Sequence, residues 1–134
     1  MGIIVDTCIW IGIATGQLPA ASVNAKAGNL AVFVSVISLG ELEFGVESCS
    51  DPSKRANRAA FLRRLETRPA LGISRSTAAA FGVLAAAVKH AGRSPRPRYN
   101  DLWIAAQAIE YGYTLLTTNG RDFAGLPGLK LLNP

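Results

Sequence analysis

The stretch Gly2-Ile3-Ile4-Val5-Asp6-Thr7-Cys8-Ile9-Trp10-Ile11-Gly12-Ile13 decides the fold. Its opening residues are an apolar, largely β-branched run that stops at Asp6. Such a run suits a strand buried on both faces, as in a parallel sheet. From Thr7 the rhythm changes, and Ile9, Trp10 and Ile13 fall at helical spacing until Gly16 and Pro19 end the helix. The same alternation recurs downstream. Ala31 to Ile37 (AVFVSVI) reads as a second buried strand, and Ser38 to Val46 as the helix after it. Asp51-Pro52-Ser53 is a turn and cap, and Lys54 to Thr67 a third helix with Phe61, Leu62 and Leu65 as its apolar face. Ala70 to Ser74 is a weak strand, followed by the alanine-rich helix Thr77 to His90. Gly92 to Pro97 is a loop, Asn100 to Tyr111 a helix closed by Gly112, and Tyr113 to Thr117 a third strong strand. Leu129 to Leu132 adds a short edge strand. Strands alternating with helices predict an α/β fold: a three-layer α/β/α sandwich around a mainly parallel sheet, in one domain spanning residues 1–134.

Composition narrows the function. A chain of 134 residues buries roughly two-thirds of its unfolded surface, enough for a core of its own. Nearly half of it is apolar and 17% charged, which excludes disorder. Two cysteines, Cys8 and Cys49, are too few for a disulfide framework or a zinc site. The N-terminal apolar run has no basic flank and is broken by Asp6, so neither a signal peptide nor a membrane span is expected, and the expected location is the cytoplasm. The net charge of +5 suits a polyanionic partner such as nucleic acid.

The nine acids are more informative still. Asp6 follows the first strand, Glu41 lies in the first turn after the second, and Asn119 and Asp122 follow the third strong one. In an open parallel sheet, ligands bind beyond the carboxyl ends of the strands. Asp101 opens the helix after the proline-rich loop and joins them if that helix starts at the same edge. Each residue also has a purely structural reading. Asp6 can cap the first helix, Ser38-x-x-Glu41 has the form of a capping box, Asp101 favours the helix dipole, and Asp122 can cap a terminal turn. Capping does not explain why so many acids gather at one end of a sheet. Two carboxylates about 4 Å apart repel by about 4 kcal/mol at an effective dielectric near 20, so a cation or a proton must relieve them. Oxygen ligands without histidine or cysteine suit Mg²⁺ or Mn²⁺, the chemistry of phosphodiester hydrolysis.

These residues resemble a known family. Ile4-Val5-Asp6-Thr7-Cys8-Ile9-Trp10-Ile11 resembles the opening strand and helix of PIN-domain nucleases, especially the VapC-type toxins of bacterial toxin–antitoxin pairs. The segments from Ser35 to Val46, from Asp101 to Ala108 and from Leu115 to Phe123 are similar to the family's later motifs. The resemblance implies that Asp6, Glu41 and Asp101 hold Mg²⁺ or Mn²⁺ and activate water for RNA cleavage, transfer RNA being one substrate class. Asn119 stands where many relatives carry a fourth acid; it can orient a water but adds no charge. Asp122, three residues on, is a further catalytic candidate ranked below the others. The resemblance also implies a growth-arresting toxin that forms a homodimer, each subunit gripped by the C-terminal segment of a VapB-like antitoxin in a hetero-oligomer.

Arg93, Arg96 and Arg98, on the loop before Asp101, are the candidates for binding RNA, with Pro95 and Pro97 stiffening that loop. The basic residues from Lys54 to Arg68 read mostly as a solvated helix face. Trp10 and Trp103 each follow a candidate catalytic acid; they are either core residues or anchors for the inserted antitoxin segment. Cys8 reads as a packing residue and His90 as a partner for a helix C-terminus. A receiver domain is disfavoured, because it needs an acidic pair after the first strand and a phosphoryl-accepting aspartate later. The remaining alternative is a PIN-fold module that binds RNA or protein without cutting.

Overall fold

Strand β1 (Gly2–Val5) lies at the centre of a five-stranded, all-parallel sheet in a computed structural model that describes residues 1–134. The chain continues through α1 (Thr7–Ala14), α2 (Ala21–Ala27), β2 (Ala31–Ser35), α3 (Val36–Glu47) and α4 (Pro52–Leu65). There follow β3 (Ala70–Leu71), α5 (Arg75–His90), a 3-10 turn (Arg96–Arg98), α6 (Tyr99–Tyr111), β4 (Thr114–Leu116), α7 (Gly120–Phe123) and β5 (Lys130–Leu132). The sheet order is β3-β2-β1-β4-β5. The chain therefore builds outward from β1 on one side, then crosses back to build β4 and β5 on the other. The place where the order reverses, between β1 and β4, is where such sheets open a crevice at their carboxyl edge.

Side-chain alternation along the strands creates the two outer layers. Ile3 and Val5 of β1, Val32 and Val34 of β2, and Leu116 of β4 join a core with Ile9, Trp10, Val23 and Leu65 from α1, α2 and α4. Ile4 and Leu115 point the other way, into a core with Leu84 and Val88 of α5 and Leu102, Ile104 and Ala105 of α6. A strand covered on both faces carries apolar residues at every position, which is why the period of two is invisible in its sequence. No helix is long and apolar enough to cross a membrane.

The expected three-layer architecture is present, with local differences. The sequence reading had no helix between Gly16 and Ala31, yet Ala21–Ala27 forms α2, fastened by Val23 and Ala27 on the core. Its two buried positions are too few to make a visible stripe. β2 stops at Ser35 rather than running to Ile37, because the Ser35 hydroxyl accepts from the Ile37 amide and starts α3 there. Asp51 caps α4 through the Lys54 amide with Pro52 in the first turn, and Gly112 closes α6 in the left-handed conformation at φ 69°, both as the sequence indicates.

One buried polar residue joins the layers. Gln107, fully buried on α6, donates from Nε2 to the Leu71 carbonyl at 2.8 Å and the Gly72 carbonyl at 3.0 Å. Its Oε1 accepts from the Ser35 hydroxyl. All three of its bonds thus go to the ends of β2 and β3, and they set α6 against that side of the sheet. Gln107→Leu leaves the Ser35 hydroxyl and the Leu71 carbonyl without this partner. It should lower stability by about 1–3 kcal/mol, read as a lower urea midpoint at unchanged slope.

Candidate active site

Asp6 ends β1 and is 3% exposed. A carboxylate this deep needs donors, and it has three. Oδ1 accepts from the Thr7 amide at 2.8 Å, so Asp6 does cap α1, as one of its sequence readings had it. Oδ2 accepts from the Thr117 hydroxyl at 2.7 Å and from the Cys8 thiol at 3.2 Å. Thr117 follows β4 and in turn accepts from the Asn119 amide at 3.0 Å. The adjacent carboxyl ends of β1 and β4 are therefore tied together through this acid, and the Asp6 amide reinforces the tie by donating to the Leu116 carbonyl at 2.9 Å.

Glu41 is held differently. The capping-box reading of Ser38 and Glu41 is wrong here: Ser35 caps α3, and neither Ser38 nor Glu41 takes part. The hydroxyl of Thr7 donates instead to Glu41 Oε1 at 2.7 Å, and the fully buried Ser38 hydroxyl lies 2.7 Å from the same Thr7 oxygen. Because Thr7 has one hydroxyl proton and gives it to the carboxylate, Ser38 is the donor to Thr7. This relay, Ser38 to Thr7 to Glu41, turns the carboxylate of α3 toward the end of β1.

Asp101, in the first turn of α6, completes the group without comparable support. No hydrogen bond holds its half-buried carboxyl, and burial pushes that carboxyl from 3.8 up to about 6, helped by the negative charges of Asp6, Glu41 and Asp122 and opposed by Arg98. The helix does start at the functional edge, and the carboxylates of β1, α3, α6 and α7 share one field. They do not close into a cage: no three acidic, cysteine or histidine side chains stand near enough to enclose an ion alone.

The remaining candidates divide. Asp122 lies in α7 on the rim and pairs with Arg98 at 3.3 Å, while Arg98 also donates to the Asp122 carbonyl at 3.1 Å. Arg98 is thereby engaged within the site, whereas Arg93 and Arg96 lie exposed on their loop. Asn119 precedes α7 with an exposed side chain that makes no capping bond. Cys8 has a thiol that burial pushes upward, partly offset by its bond from Thr118; it stays a neutral donor to Asp6, in keeping with a packing role. His90 falls in the last turn of α5. Trp10 is 3% exposed beneath the Arg68 guanidinium, so it is a core residue and presents no surface to a docked segment. Trp103 is half-buried and stacked on Phe81, ring centroids 4.0 Å apart. The residues that sequence reasoning missed are Thr7 and Thr117, hydroxyls beside the acids, and Ser38 has a different partner from the one its spacing indicates. Their one signal was adjacency: Thr7 directly follows Asp6, and Thr117 comes two residues before Asn119.

The sequence and the fold are similar to those of known proteins. The PIN domain family model matches residues 3–129. Ribonuclease VapC4 of Mycobacterium tuberculosis is 33% identical over 128 residues, which covers 95% of this chain and 92% of that protein. Ribonuclease VapC of Rickettsia bellii is 33% identical over 138 residues, covering 98% and 96%. The crystal structure of VapBC2 from Rickettsia felis, bound to a DNA fragment from its promoter, matches with a TM-score of 0.83 at 26% identity, over 99% of this chain and 98% of that one. VapBC-5 of Mycobacterium tuberculosis shares the fold at a TM-score of 0.78 over the full length of both chains. With its acids gathered where β1, α3 and α6 meet, the chain belongs to the PIN-domain family and, within it, to the VapC-type ribonucleases.

Proposed function

We propose that this protein is a Mg²⁺- or Mn²⁺-dependent endoribonuclease, the growth-arresting toxin of a toxin–antitoxin pair, acting on structured RNA of the transfer-RNA class. The observation that carries the reading is the Asp101 carboxyl, driven up to about 6 beside Asp6 and Glu41. Burial first, and then repulsion from neighbouring acids, raise this carboxyl at the sheet's functional edge, and a bound cation relieves both. The donor set fits one: Asp6, Glu41 and Asp101 offer only oxygens, and their open spacing suits a hard ion that keeps several of its waters. Bound there, a divalent cation would neutralise phosphoryl charge and acidify a bound water.

The chain's own residues supply the positioning. Thr117 and the Thr7 amide hold the Asp6 carboxylate in place, and the Ser38–Thr7 relay fixes the Glu41 rotamer. Asp101 is the acid left free to answer the metal. Asn119 on the rim can accept from or donate to substrate, and Arg98 moderates the negative field on the open side. Arg93 and Arg96 offer exposed cations to the RNA backbone on the same loop. An antitoxin segment that inserts a cationic side chain among the carboxylates would silence the site by relieving the same repulsion. The solved VapBC complexes support a VapB-like partner for this chain. A homodimer within that hetero-oligomer and a cytoplasmic setting belong to the same proposal.

Three measurements test it. In metal-free protein, folded Asp101 binds its proton more tightly than the unfolded chain does. Stability should therefore fall as pH rises from about 4 to about 6 and level off above. Asp101→Asn should flatten that window, raise stability at pH 7 by about 1 kcal/mol after discounting solvent screening, and reduce RNA cleavage by at least a hundredfold. Cleavage at the wild-type rate would remove Asp101 from the site. Second, Mn²⁺ at about a hundredfold excess over its Kd should stabilise the protein by about 2.7 kcal/mol, seen as a Tm rise of several degrees. Asp6→Asn with Asp101→Asn should abolish the rise, and Asn119→Asp should enlarge it. Third, light scattering should give twice the 14.1 kDa chain mass for the protein alone. Co-expression with the neighbouring antitoxin should give a larger complex without nuclease activity, and an active complex would defeat the inhibition model.

A further inference from the structure

Helix α7 carries Asp122 and follows Asn119, so its placement sets one wall of the acidic crevice. A helix of four residues holds little by itself, and Phe123 is its one buried side chain. Two polar ties fix the rest. At its start, the Asn119 amide donates to the Thr117 hydroxyl at 3.0 Å, the same hydroxyl that holds Asp6. At its far end stands Arg98, 24 residues back in the chain, at the close of the 3-10 turn that leads into α6. One nitrogen, Nη1, donates to the Asp122 backbone carbonyl at 3.1 Å and pairs with the Asp122 carboxylate at 3.3 Å.

Arg98 differs from the other cations around the crevice. Arg93, Arg96 and Arg121 are exposed and pair with no carboxylate, whereas the Arg98 side chain is 30% exposed and spent on α7. It stands three residues before Asp101, at the entrance to the helix that presents this acid. The guanidinium therefore joins the segment that carries Asp101 to the one that carries Asn119 and Asp122. Burial and the charges of Asp6, Glu41 and Asp122 push the Asp101 carboxyl up, and Arg98 is the one group that draws it down. A partly exposed ion pair adds little to the stability of a whole fold. Its effect is local, and it falls on the spacing of two walls.

We propose that Arg98 is a positioning residue that clasps α7 to the start of α6 and so sets how far Asp101 stands from Asn119 across the crevice. The bond to the Asp122 carbonyl grips the backbone of α7, and the bond to the carboxylate turns the guanidinium toward it. The same guanidinium places a positive charge beside the carboxylates, where it opposes any cation that binds among them. Removing Arg98 should therefore act in two directions, easing entry of the metal and slowing the reaction. A residue that served only the stability of the fold would do neither. This role rests on the reading of the protein as a metal-dependent ribonuclease, and it adds the contact that holds the site's two walls in place.

The test uses the full chain and Arg98→Met, which keeps the apolar stem and removes every donor, with Asp122→Ala as the second variant. In metal-free protein, Arg98→Met should lower the backbone order parameters of residues 119–123 by about 0.2 from the roughly 0.85 of rigid backbone. Its Tm should stay within about 2 °C of wild type. Calorimetric titration should show Mn²⁺ binding about threefold more tightly, as loss of a nearby positive charge requires. In saturating Mn²⁺, kcat for RNA cleavage should fall about tenfold with KM within twofold, the pattern of a misplaced group. Two residues that act through one contact are not additive, so Arg98→Met with Asp122→Ala should be no more than about twofold slower than the slower single variant. Unchanged order parameters and kcat in Arg98→Met overturn the clasp. A raised KM at unchanged kcat also overturns it, since Arg98 would then be a direct RNA ligand. Fully multiplicative losses in the double variant do the same, because Asp122 would act independently of Arg98. If wild-type protein in Mn²⁺ cuts no RNA, yet Arg98→Met loosens α7 and tightens Mn²⁺, the clasp stands and the ribonuclease reading falls.

Discussion

A carboxylate 3% exposed at the end of a central strand is the constraint on which this molecule depends. Burying an ionised group without donors costs far more than any single packing contact returns. Asp6 avoids that cost only because three donors meet it: the first amide of α1, a thiol one residue further, and a hydroxyl from the end of β4. Those donors arrive only if β1 and β4 pair in register, Val5 beside Leu116, and if α1 leaves the strand at once. The sheet's crossover, the tight strand-to-helix junction and the buried acid are therefore one arrangement. Loosening any of them strands a charge in the interior.

Around that fixed acid the other carboxylates are treated unequally. Glu41 is steered by a chain of two hydroxyls, and Asp122 is answered by Arg98. Asp101 alone receives burial and repulsion with little in return. Burial and like-charge repulsion thus fall together on one side chain, at the carboxyl edge where open parallel sheets take their ligands.

The excess positive charge is likewise distributed with a pattern. Salt bridges along α4 and stacking on Phe61 and Trp10 occupy most of its cations, and the acids that pair with them lie on α3 and at the end of α4. Lys54 and Arg58, which share a cleft with Glu41, pair with no acid, and Arg93 and Arg96 stand exposed on the loop before α6. Exposed pairs of this kind add little stability. Their effect here is selective: they cancel field where it is not needed and leave it beside the acidic crevice.

The layers, the parallel sheet and the carboxyl-edge placement of Asp6 and Glu41 were legible in the sequence, because burial on both faces and strand-to-helix rhythm are local patterns. Capping of α1 by Asp6, of α4 by Asp51 and closure of α6 by Gly112 were legible for the same reason. Helix α2 was not, since two buried residues in seven make no stripe, and Trp10 gave no sign whether it faced core or surface. The capping box at Ser38 and Glu41 had the correct residues and the wrong partners. Only the folded chain brings Thr7 to Glu41, 34 residues apart, and Thr117 to Asp6, 111 apart. A hydroxyl beside an acid can bond to its own backbone or to a distant carboxylate, and sequence spacing weighs only the first. The choice was decided by strand register and helix packing, which put the second partner within 2.7 Å.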